Sequence, residues 1–178
     1  MPRPPRDIDQ KRWRRSLVDH LEDYPRQLEA LRFSARTFGP DFGLAQLADA
    51  FSSDEPELYT RVQAIERALG RLQSYMAAMA EDGTKLAGLV RRATQDREPR
   101  AQPAFEALRD AGVITKDICG RIVASQRIRN RLEHDYVKMD AEDLHEAVTQ
   151  MLKLAPEFLD RFARWVEPHL VGPTPPAR

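Results

Sequence analysis

The sequence predicts an all-α protein folded as an up-and-down helical bundle of four to five main helices. Apolar residues recur in alternating steps of four and three along several long segments, which is the spacing of a helix with one buried face. Glycine is scarce, with 8 residues in 178, and 31% of the residues are charged, a composition that favours helices over sheet. No segment shows the two-residue alternation of a β-strand over enough length to predict one.

The length and the two ends of the chain predict a single domain. A chain of 178 residues is long enough for one core and short for two. Prolines crowd both ends, where they prevent a clean helix. We therefore expect a flexible arm over 1–6, a single helical domain over 7–170 and a flexible tail over 171–178.

Charge and cysteine content narrow the class of function. Lys and Arg together number 28, as do Asp and Glu, so no net field attracts nucleic acid or a membrane and any anion site must be local. The one cysteine, Cys119, cannot form an internal disulfide and is predicted to be a small buried hydrophobe. Because no apolar run reaches about 18 residues and the N-terminus is charged, we expect a soluble, cytoplasmic protein with no membrane partner.

The first predicted helix is preceded by a basic cluster, Lys11-Arg12-Trp13-Arg14-Arg15, that has two interpretations. It either contacts RNA phosphates and stacks a base on Trp13, or it is the polar start of the helix with Trp13 turned inward. Pro25 predicts a kink or a joint between two helical pieces, and Gly39-Pro40 predicts the end. The buried face is Leu17, Leu21, Tyr24, Leu28, Leu31, Ala35 and Phe38.

The segment from Phe42 to Ser53 is predicted as a short helix or an ordered loop that leads into the central helix of the bundle. Ser53 or Asp54 is the predicted N-cap of that helix, with Pro56 in its first turn. Asp82-Gly83 predicts its end or a bend. The buried face is Leu58, Val62, Ile65, Leu69, Leu72, Met76 and Met79, where methionine is predicted to fill the core.

The second half of the chain predicts three more helices. A polar loop from Thr94 to Pro103 precedes a short helix that ends at Gly112. Thr115 is the predicted N-cap of the next helix and Asp140 that of the last, in which Pro156 predicts a kink or a restart. The buried faces are Phe105, Leu108 and Ala111 in the short helix, and Leu144, Val148, Met151, Ala155, Phe158, Phe162 and Trp165 in the last.

The helix after Thr115 carries the stretch from Arg129 to Tyr136, RNRLEHDY, which combines groups suited to phosphate chemistry. Its buried face is predicted as Ile118, Ile122, Ser125, Arg129, Leu132 and Tyr136. Arg129 therefore lies where such a helix normally places an aliphatic residue. A guanidinium there is costly unless it is paired or faces a groove or a subunit interface, so we interpret the stretch as a site rather than a solvated charge run.

The spacing of Arg129 and His134 sets a geometric condition on that site. Residues five apart lie about 140° from each other around a regular helix, so the two side chains do not share a face. They cooperate either if the helix unwinds near Glu133, or if two copies of the protein meet so that both subunits line one groove.

Such a constellation suits metal-independent cleavage of RNA. His134 can take the proton of a ribose 2′-hydroxyl or protonate the leaving 5′-oxygen, while Arg129 stabilises the charge on phosphorus. Asn130 can orient a phosphate or the histidine ring. Arg131, one turn before His134, can contact phosphate or pair with an acid.

Other chemistries are not supported, and we expect no metal and no cofactor. His134 and His145 would lie about 16 Å apart on a continuous helix, too far to share an ion. No glycine-rich phosphate loop, zinc-type cysteine pair or nucleophile elbow is present. His20 and His169 have no polar partners indicated by spacing and are predicted to be bystanders.

The arrangement Arg129-Asn130-x-x-x-His134-x-Tyr136 resembles the signature of HEPN domains of the HepT type. The segment from Phe105 to Ile114 resembles the short helix and turn that lead into the motif helix of that family. The resemblance covers most of residues 15–168. It is weakest in the segment 39–53 and in the loop 94–103, because both are longer than the corresponding parts of the family pattern.

The resemblance implies a bundle that forms a homodimer across the motif helices and acts as the RNase toxin of a type II or type VII toxin–antitoxin module. It implies Arg129 and His134 as the catalytic pair, with Asn130 and Arg131 in support. The implied partner is a minimal nucleotidyltransferase antitoxin that transfers AMP to Tyr136, adding negative charge beside the RNA groove. The alternative is a non-catalytic helical dimerisation or partner-binding module, in which Arg129 and Tyr136 hold an interface.

Overall fold

The computed structural model describes residues 7–89, 101–134 and 140–171, and for Asp7 and residues 127–134 it describes the backbone alone. Over these ranges the chain forms six helices and no strand, so the all-α prediction is confirmed. The predicted arm over 1–6, the tail beyond Val171 and most of the loop from Thr94 to Pro103 lie outside the described residues. The helices are α1 (Asp7–Arg36), α2 (Leu44–Ser52), α3 (Pro56–Leu86), α4 (Gln102–Asp110), α5 (Lys116–His134) and α6 (Ala141–Leu170).

The three longest helices, α1, α3 and α6, form the frame of the bundle. The start of α3 lies beside the end of α1, where Arg61 Nη1 donates to the Thr37 carbonyl at 3.4 Å. The start of α1 lies beside the end of α6, where Arg14 Nε donates to the His169 carbonyl at 3.2 Å. Helix α1 is therefore antiparallel to both, as an up-and-down bundle requires.

The predicted apolar faces of the frame helices form the core. Every residue of those faces is buried or packs against the core, and Met76 and Met79 are fully buried as core residues. Burying one large apolar side chain contributes about 1.5–3 kcal/mol to stability. The buried apolar faces of the helices therefore determine the fold more than their exposed surfaces do. In α4, Phe105 and Leu108 are buried, but Ala111 is exposed because the helix ends at Asp110.

Three prolines lie inside helices, and Pro25 and Pro156, for which the sequence predicted a kink or a break, do not interrupt them. Helix α1 runs through Pro25 and helix α6 runs through Pro156, so the predicted joint and the predicted restart are wrong. A proline removes one backbone donor and leaves the carbonyl four residues earlier unpaired. Pro25 is exposed, so water can satisfy that carbonyl, and burial of the apolar faces on either side holds the helix together.

Of the two predictions for Gly83, an end of α3 or a bend, the end is wrong, and the glycine allows α6 to approach α3. A Cβ atom at Gly83 would lie 2.6 Å from Cζ of Phe162 and 3.2 Å from the Trp165 ring. Helix α3 continues to Leu86. The glycine therefore serves close packing between two helices, which single-sequence reasoning confuses with a helix stop.

The capping predictions are confirmed at two helices and wrong at one. The Ile118 amide donates to Thr115 Oγ1 at 3.2 Å, and the Asp143 amide donates to Asp140 Oδ1 at 2.8 Å. For α3 the N-cap is Glu55 instead of Ser53 or Asp54, although Pro56 does open the helix. Ser53 Oγ accepts from the Glu55 amide at 3.1 Å, so it closes the preceding turn.

The positions of α2 and α4 decide two further details of the sequence prediction. Residues 44–52 form a helix, which resolves the choice between a short helix and an ordered loop. Helix α4 begins at Gln102, so the predicted loop ends two residues earlier, with Pro103 in the first turn where its missing N–H costs nothing. No helix within the described ranges combines the length and the apolar character that crossing a bilayer requires.

Candidate functional site

Helix α5, which carries the predicted site residues, is set in the bundle by a capped start and an apolar first half. Thr115 caps the helix, and Ile118 and Ile122 face the core with exposed fractions of 3% and 0%. Cys119 is also buried, as predicted, and burial raises the pKa of its thiol. The first two turns of α5 are therefore held as the frame helices are held, by removal of apolar surface from water.

One turn later the face of α5 changes from apolar to polar while staying buried. Ser125 and Gln126 are 4% and 8% exposed, and they meet Gln73 of α3, which is 1% exposed. Gln73 Nε2 donates to the Ser125 carbonyl at 3.2 Å and to Ser125 Oγ. Gln126 Nε2 donates back to the Gln73 carbonyl at 3.1 Å. We call this set of three residues the α3–α5 polar tie.

The polar tie fixes α5 in a way that apolar contact cannot. Hydrogen bonds act over a narrow range of distance and angle, so three of them joining two helices set both the rotation and the axial position of α5. Inside a core they are strengthened by the low local dielectric. Because position 129 lies one turn beyond Ser125, the tie holds the helix directly before the predicted site.

The polar tie is not fully satisfied. Gln73 Oε1 is buried and has no hydrogen-bond partner among the described residues, which do not include the side chains of α5 beyond Gln126. A buried acceptor without a partner costs about 1–3 kcal/mol, so this glutamine is not an optimal choice for stability alone. Sequence reasoning missed Gln73. The available signal was its place four residues after Leu69 on a helix with a buried face, together with Ser125 on the face of the facing helix.

The structure describes the backbone of four predicted site residues and nothing of the fifth. Arg129, Asn130, Arg131 and His134 lie in the last two turns of α5, their side chains outside the described part of the chain, and Tyr136 lies outside it entirely. The helix is regular through His134, so positions 129 and 134 lie about 140° apart around its axis. No unwinding before His134 brings the two positions together on one chain.

The outward face of α5 carries two small residues one turn apart before the predicted site. Gly120 and Ala124 are exposed, and Arg121 beside them pairs with Asp117 at 3.1 Å. These residues line a shallow cleft of about 680 Å³ together with Gln150 of α6. A second helix could approach this face closely.

The three histidines whose side chains are described all have defined contacts. His145 Nε2 lies 2.8 Å from the Phe42 carbonyl and its ring stacks on Phe42, which has a positive φ of 49°. His169 Nδ1 lies 3.2 Å from the Trp165 carbonyl. His20 Nδ1 lies 3.2 Å from Ser16 Oγ, so the prediction that spacing indicates no partner for His20 is wrong. Ser16 is four residues earlier, on the same helix face.

No group of three His, Cys, Asp or Glu side chains able to hold a metal ion is found in the described ranges, which exclude the side chain of His134. That no metal and no cofactor is used stays a prediction. The candidate groups that α5 itself carries for phosphate chemistry are its arginine, asparagine and histidine residues.

Comparison with known proteins identifies one family. A family model described as ribonuclease HepT-like matches residues 60–162, which is more than half of the chain and includes all the predicted site residues. No curated protein and no solved structure matches.

Proposed function

The chain belongs to the HepT-like ribonuclease family, and from this we propose that it is a metal-independent endoribonuclease, the toxin of a type II or type VII toxin–antitoxin module. The observation that carries the proposal is the position of α5. The family match spans the whole helix, and the α3–α5 polar tie holds that helix one turn before Arg129.

The proposed site is composite, with residues from two subunits. A regular helix separates positions 129 and 134 of one chain, so Arg129 of one subunit works with His134 of the other across a twofold axis. The exposed Gly120 and Ala124 allow two α5 helices to approach each other on the face that precedes the site.

In the proposed reaction His134 acts as general base and general acid. It removes the proton of the ribose 2′-hydroxyl, and the 2′-oxygen forms a bond to phosphorus as the bond to the 5′-oxygen breaks. The 5′-oxygen leaves with a proton from a histidine, and the other product is a 2′,3′-cyclic phosphate. Arg129 stabilises the charge on the phosphoryl oxygens, and Asn130 and Arg131 hold the phosphate in place.

Subunit mixing tests the composite site. Arg129→Ala and His134→Ala are each expected to abolish RNA cleavage and growth inhibition without a large change in thermal stability. A mixture of the two variants should recover about a quarter of wild-type cleavage, because random mixing gives half heterodimers and each has one intact site of two.

The possible outcomes separate the alternatives. Recovery in the mixture contradicts a site built within one chain, in which both halves of every heterodimer are damaged. Full toxicity of both single variants would remove the nuclease proposal. Absence of cleavage by the wild-type protein, together with dissociation of the Arg129→Ala dimer, would favour the binding-module alternative.

Neutralisation by the antitoxin is a separate part of the proposal. The partner is a minimal nucleotidyltransferase that transfers AMP to the hydroxyl of Tyr136, with pyrophosphate leaving from ATP. Added bulk and negative charge beside the phosphate site would exclude RNA. Co-expression with the neighbouring gene product should add the mass of one AMP to the intact protein, and Tyr136→Phe should prevent it. Persistence of the added mass in that variant would reject Tyr136 as the acceptor.

A further inference from the structure

One side chain of the polar tie keeps an unused acceptor. Gln73 is 1% exposed, and both its Nε2 group and its backbone carbonyl bond to α5. Its Oε1 atom is buried and accepts no hydrogen bond from any described residue. Buried acceptors in proteins are nearly always satisfied, so a donor is expected near Oε1. The side chains that follow the tie directly are those of α5 beyond Gln126, which lie outside the described part of the chain.

The direction of α5 places its last two turns beside the first half of α3. Helices α3 and α6 run the same way, because α1 is antiparallel to both. A Cβ atom at Gly83 would lie 2.6 Å from Phe162, so these two residues are level along the bundle. Val62 precedes Gly83 by as many residues as Ala141 precedes Phe162, so α6 begins level with Val62. Because the end of α5 leads into that start, α5 runs from the polar tie back along α3, antiparallel to it.

The same side of α3 has open space next to Gln73. Gly70 lies three residues earlier, about 60° around the helix and about 4.5 Å along it in the direction that α5 takes. A Cβ atom at Gly70 would contact no described atom within 4 Å, and the glycine is partly exposed. A long side chain of α5 therefore has room beside Gln73.

Helical geometry identifies which residue of α5 follows the tie on the face toward α3. Ser125 and Gln126 define this face, because both are hydrogen-bonded to α3. Position 129 lies between them around the axis, about 40° from Ser125 and about 6 Å further along. Glu133 also lies in this arc but has no donor at neutral pH, and Asn130 lies about 40° outside it. Arg129 is therefore the donor that the sequence places on this face.

We propose that Gln73 is a positioning residue for Arg129, and that its Oε1 atom accepts a hydrogen bond from the guanidinium of the same chain. The bond gives a partner both to the buried acceptor and to the guanidinium, which the sequence places on a buried face. A guanidinium has five N–H groups, so one on Oε1 leaves the others for phosphate. The polar tie thus fixes the helix, and Oε1 fixes the side chain. The role of Arg129 in cleavage rests on the proposed function, but the hydrogen bond does not.

Hydrogen exchange at the guanidinium tests the contact without RNA. The ¹⁵N-labelled full chain is followed by NMR, and the arginine side-chain signal that disappears in Arg129→Lys belongs to Arg129. In the wild type this signal should exchange with water about tenfold more slowly than that of Arg26, whose side chain is 83% exposed, because a hydrogen bond to a buried acceptor has to open first. Gln73→Met should raise the exchange rate to that of Arg26.

Gln126→Met is the matched control, because it breaks the other side-chain bond of the tie and leaves Oε1 in place. It should keep the slow exchange of Arg129.

Cleavage gives a second measurement. Gln73→Met should lower kcat about tenfold and change KM less than about twofold, because it misdirects Arg129 in the transition state without removing its charge from the site. Stability should report little of this change, since water can hydrate the freed guanidinium in the open space beside Gly70.

The outcomes separate this contact from the position of α5 and from the nuclease proposal. Fast exchange of Arg129 in the wild type, or slow exchange that persists in Gln73→Met, would overturn the hydrogen bond. Equal acceleration in Gln73→Met and Gln126→Met would show that Gln73 acts only through the position of α5, and would overturn it as well. Unchanged kcat in Gln73→Met would overturn the positioning role. A wild-type protein whose slow exchange is lost in Gln73→Met alone, but which cleaves no RNA, would instead remove the proposed function and leave the hydrogen bond in place.

Discussion

Helices α5 and α6 both contact α3, but the two contacts are of different kinds. Helix α6 meets α3 through rings, with Phe162 placed over Gly83 so closely that a single added carbon would lie 2.6 Å from it. Helix α5 meets α3 through the polar tie of Gln73, Ser125 and Gln126. The contact of α6 with α3 excludes water and fills space. The contact of α5 with α3 sets the rotation and the axial position of α5.

The difference in contact fits the proposed function. Apolar contact is non-directional and roughly proportional to buried area, so it gives stability but tolerates small slides of one helix past another. Hydrogen bonds inside a core add little net stability and fix geometry instead. Under the proposed function the frame has to be stable, whereas the helix with Arg129 and His134 has to be in one position, since a displacement of about 1 Å can lower a rate a hundredfold.

Breaking the apolar contact should have the largest effect on stability. Phe162→Ala removes a fully buried ring that stacks on Phe158 and covers Gly83, and leaves a cavity in the middle of the frame. We expect the free energy of unfolding to fall by about 3–5 kcal/mol, measured by urea denaturation.

A matched control uses a phenylalanine that the frame does not need. Phe33 lies on α1 with 67% of its surface exposed, so Phe33→Ala should change the free energy of unfolding by less than about 0.5 kcal/mol. Similar losses in the two variants would contradict the view that ring burial at the α3–α6 contact holds the frame.

The contact between α1 and α6 combines both kinds of interaction and predicts a dependence on pH. Tyr24 is fully buried, and its hydroxyl donates to the Ala155 carbonyl at 3.1 Å. Burial raises the pKa of this phenol in the folded state above its ordinary value of about 10. Above pH 10 the unfolded chain therefore releases the proton and the folded chain keeps it. The free energy of unfolding should then fall by about 1.4 kcal/mol per pH unit, a contribution that is fully present below pH 10.

Replacement of the hydroxyl checks that assignment. Tyr24→Phe should lower stability at neutral pH by about 0.5–1.5 kcal/mol through the lost hydrogen bond, and it should flatten the fall above pH 10. Tyr59→Phe, at a side chain that is 63% exposed, should leave the alkaline fall unchanged. An equally steep fall in the Tyr24→Phe protein would assign the effect to other groups.

The frame could be predicted from the sequence because its determinants are local and periodic. Steps of four and three identified the buried faces of α1, α3 and α6, and Thr115 and Asp140 identified two helix starts. Gly83 and the interior prolines could not be interpreted in this way. The effect of Gly83 depends on which side chain of another helix lies opposite, and the effect of the prolines depends on the burial of the apolar faces on either side. A single sequence states neither.

For the candidate site, the choice of Arg129 and His134 rests on residue types and spacing and stays a prediction. The contact that positions their helix could not be predicted from the sequence, for the same reason. Gln73 precedes Ser125 by 52 residues, and a buried glutamine has no periodic signature. The unsatisfied Oε1 is visible only once the two helices are placed together.

Replacing the polar tie by an apolar group should have the smallest effect on stability and a large effect on activity. Gln73→Met keeps a similar volume, removes the donor to Ser125 and also removes the unpartnered acceptor. Loss of a hydrogen bond and loss of a buried unsatisfied group then offset each other, so the free energy of unfolding should change by less than about 1.5 kcal/mol. If the tie sets the position of α5, RNA cleavage should nevertheless fall about tenfold or more.

Leu69→Met is the control, because it is a volume-conserving change at a buried position one turn earlier on α3. It should have a similarly small effect on stability and leave cleavage unchanged. The split between stability and activity is what separates a positioning role of Gln73 from a structural one. Two outcomes would contradict this role: a loss of cleavage by Gln73→Met only in proportion to its loss of stability, or no loss of either. In both cases the polar tie would not set the position of α5, and the helix would be held by burial alone, as α6 is.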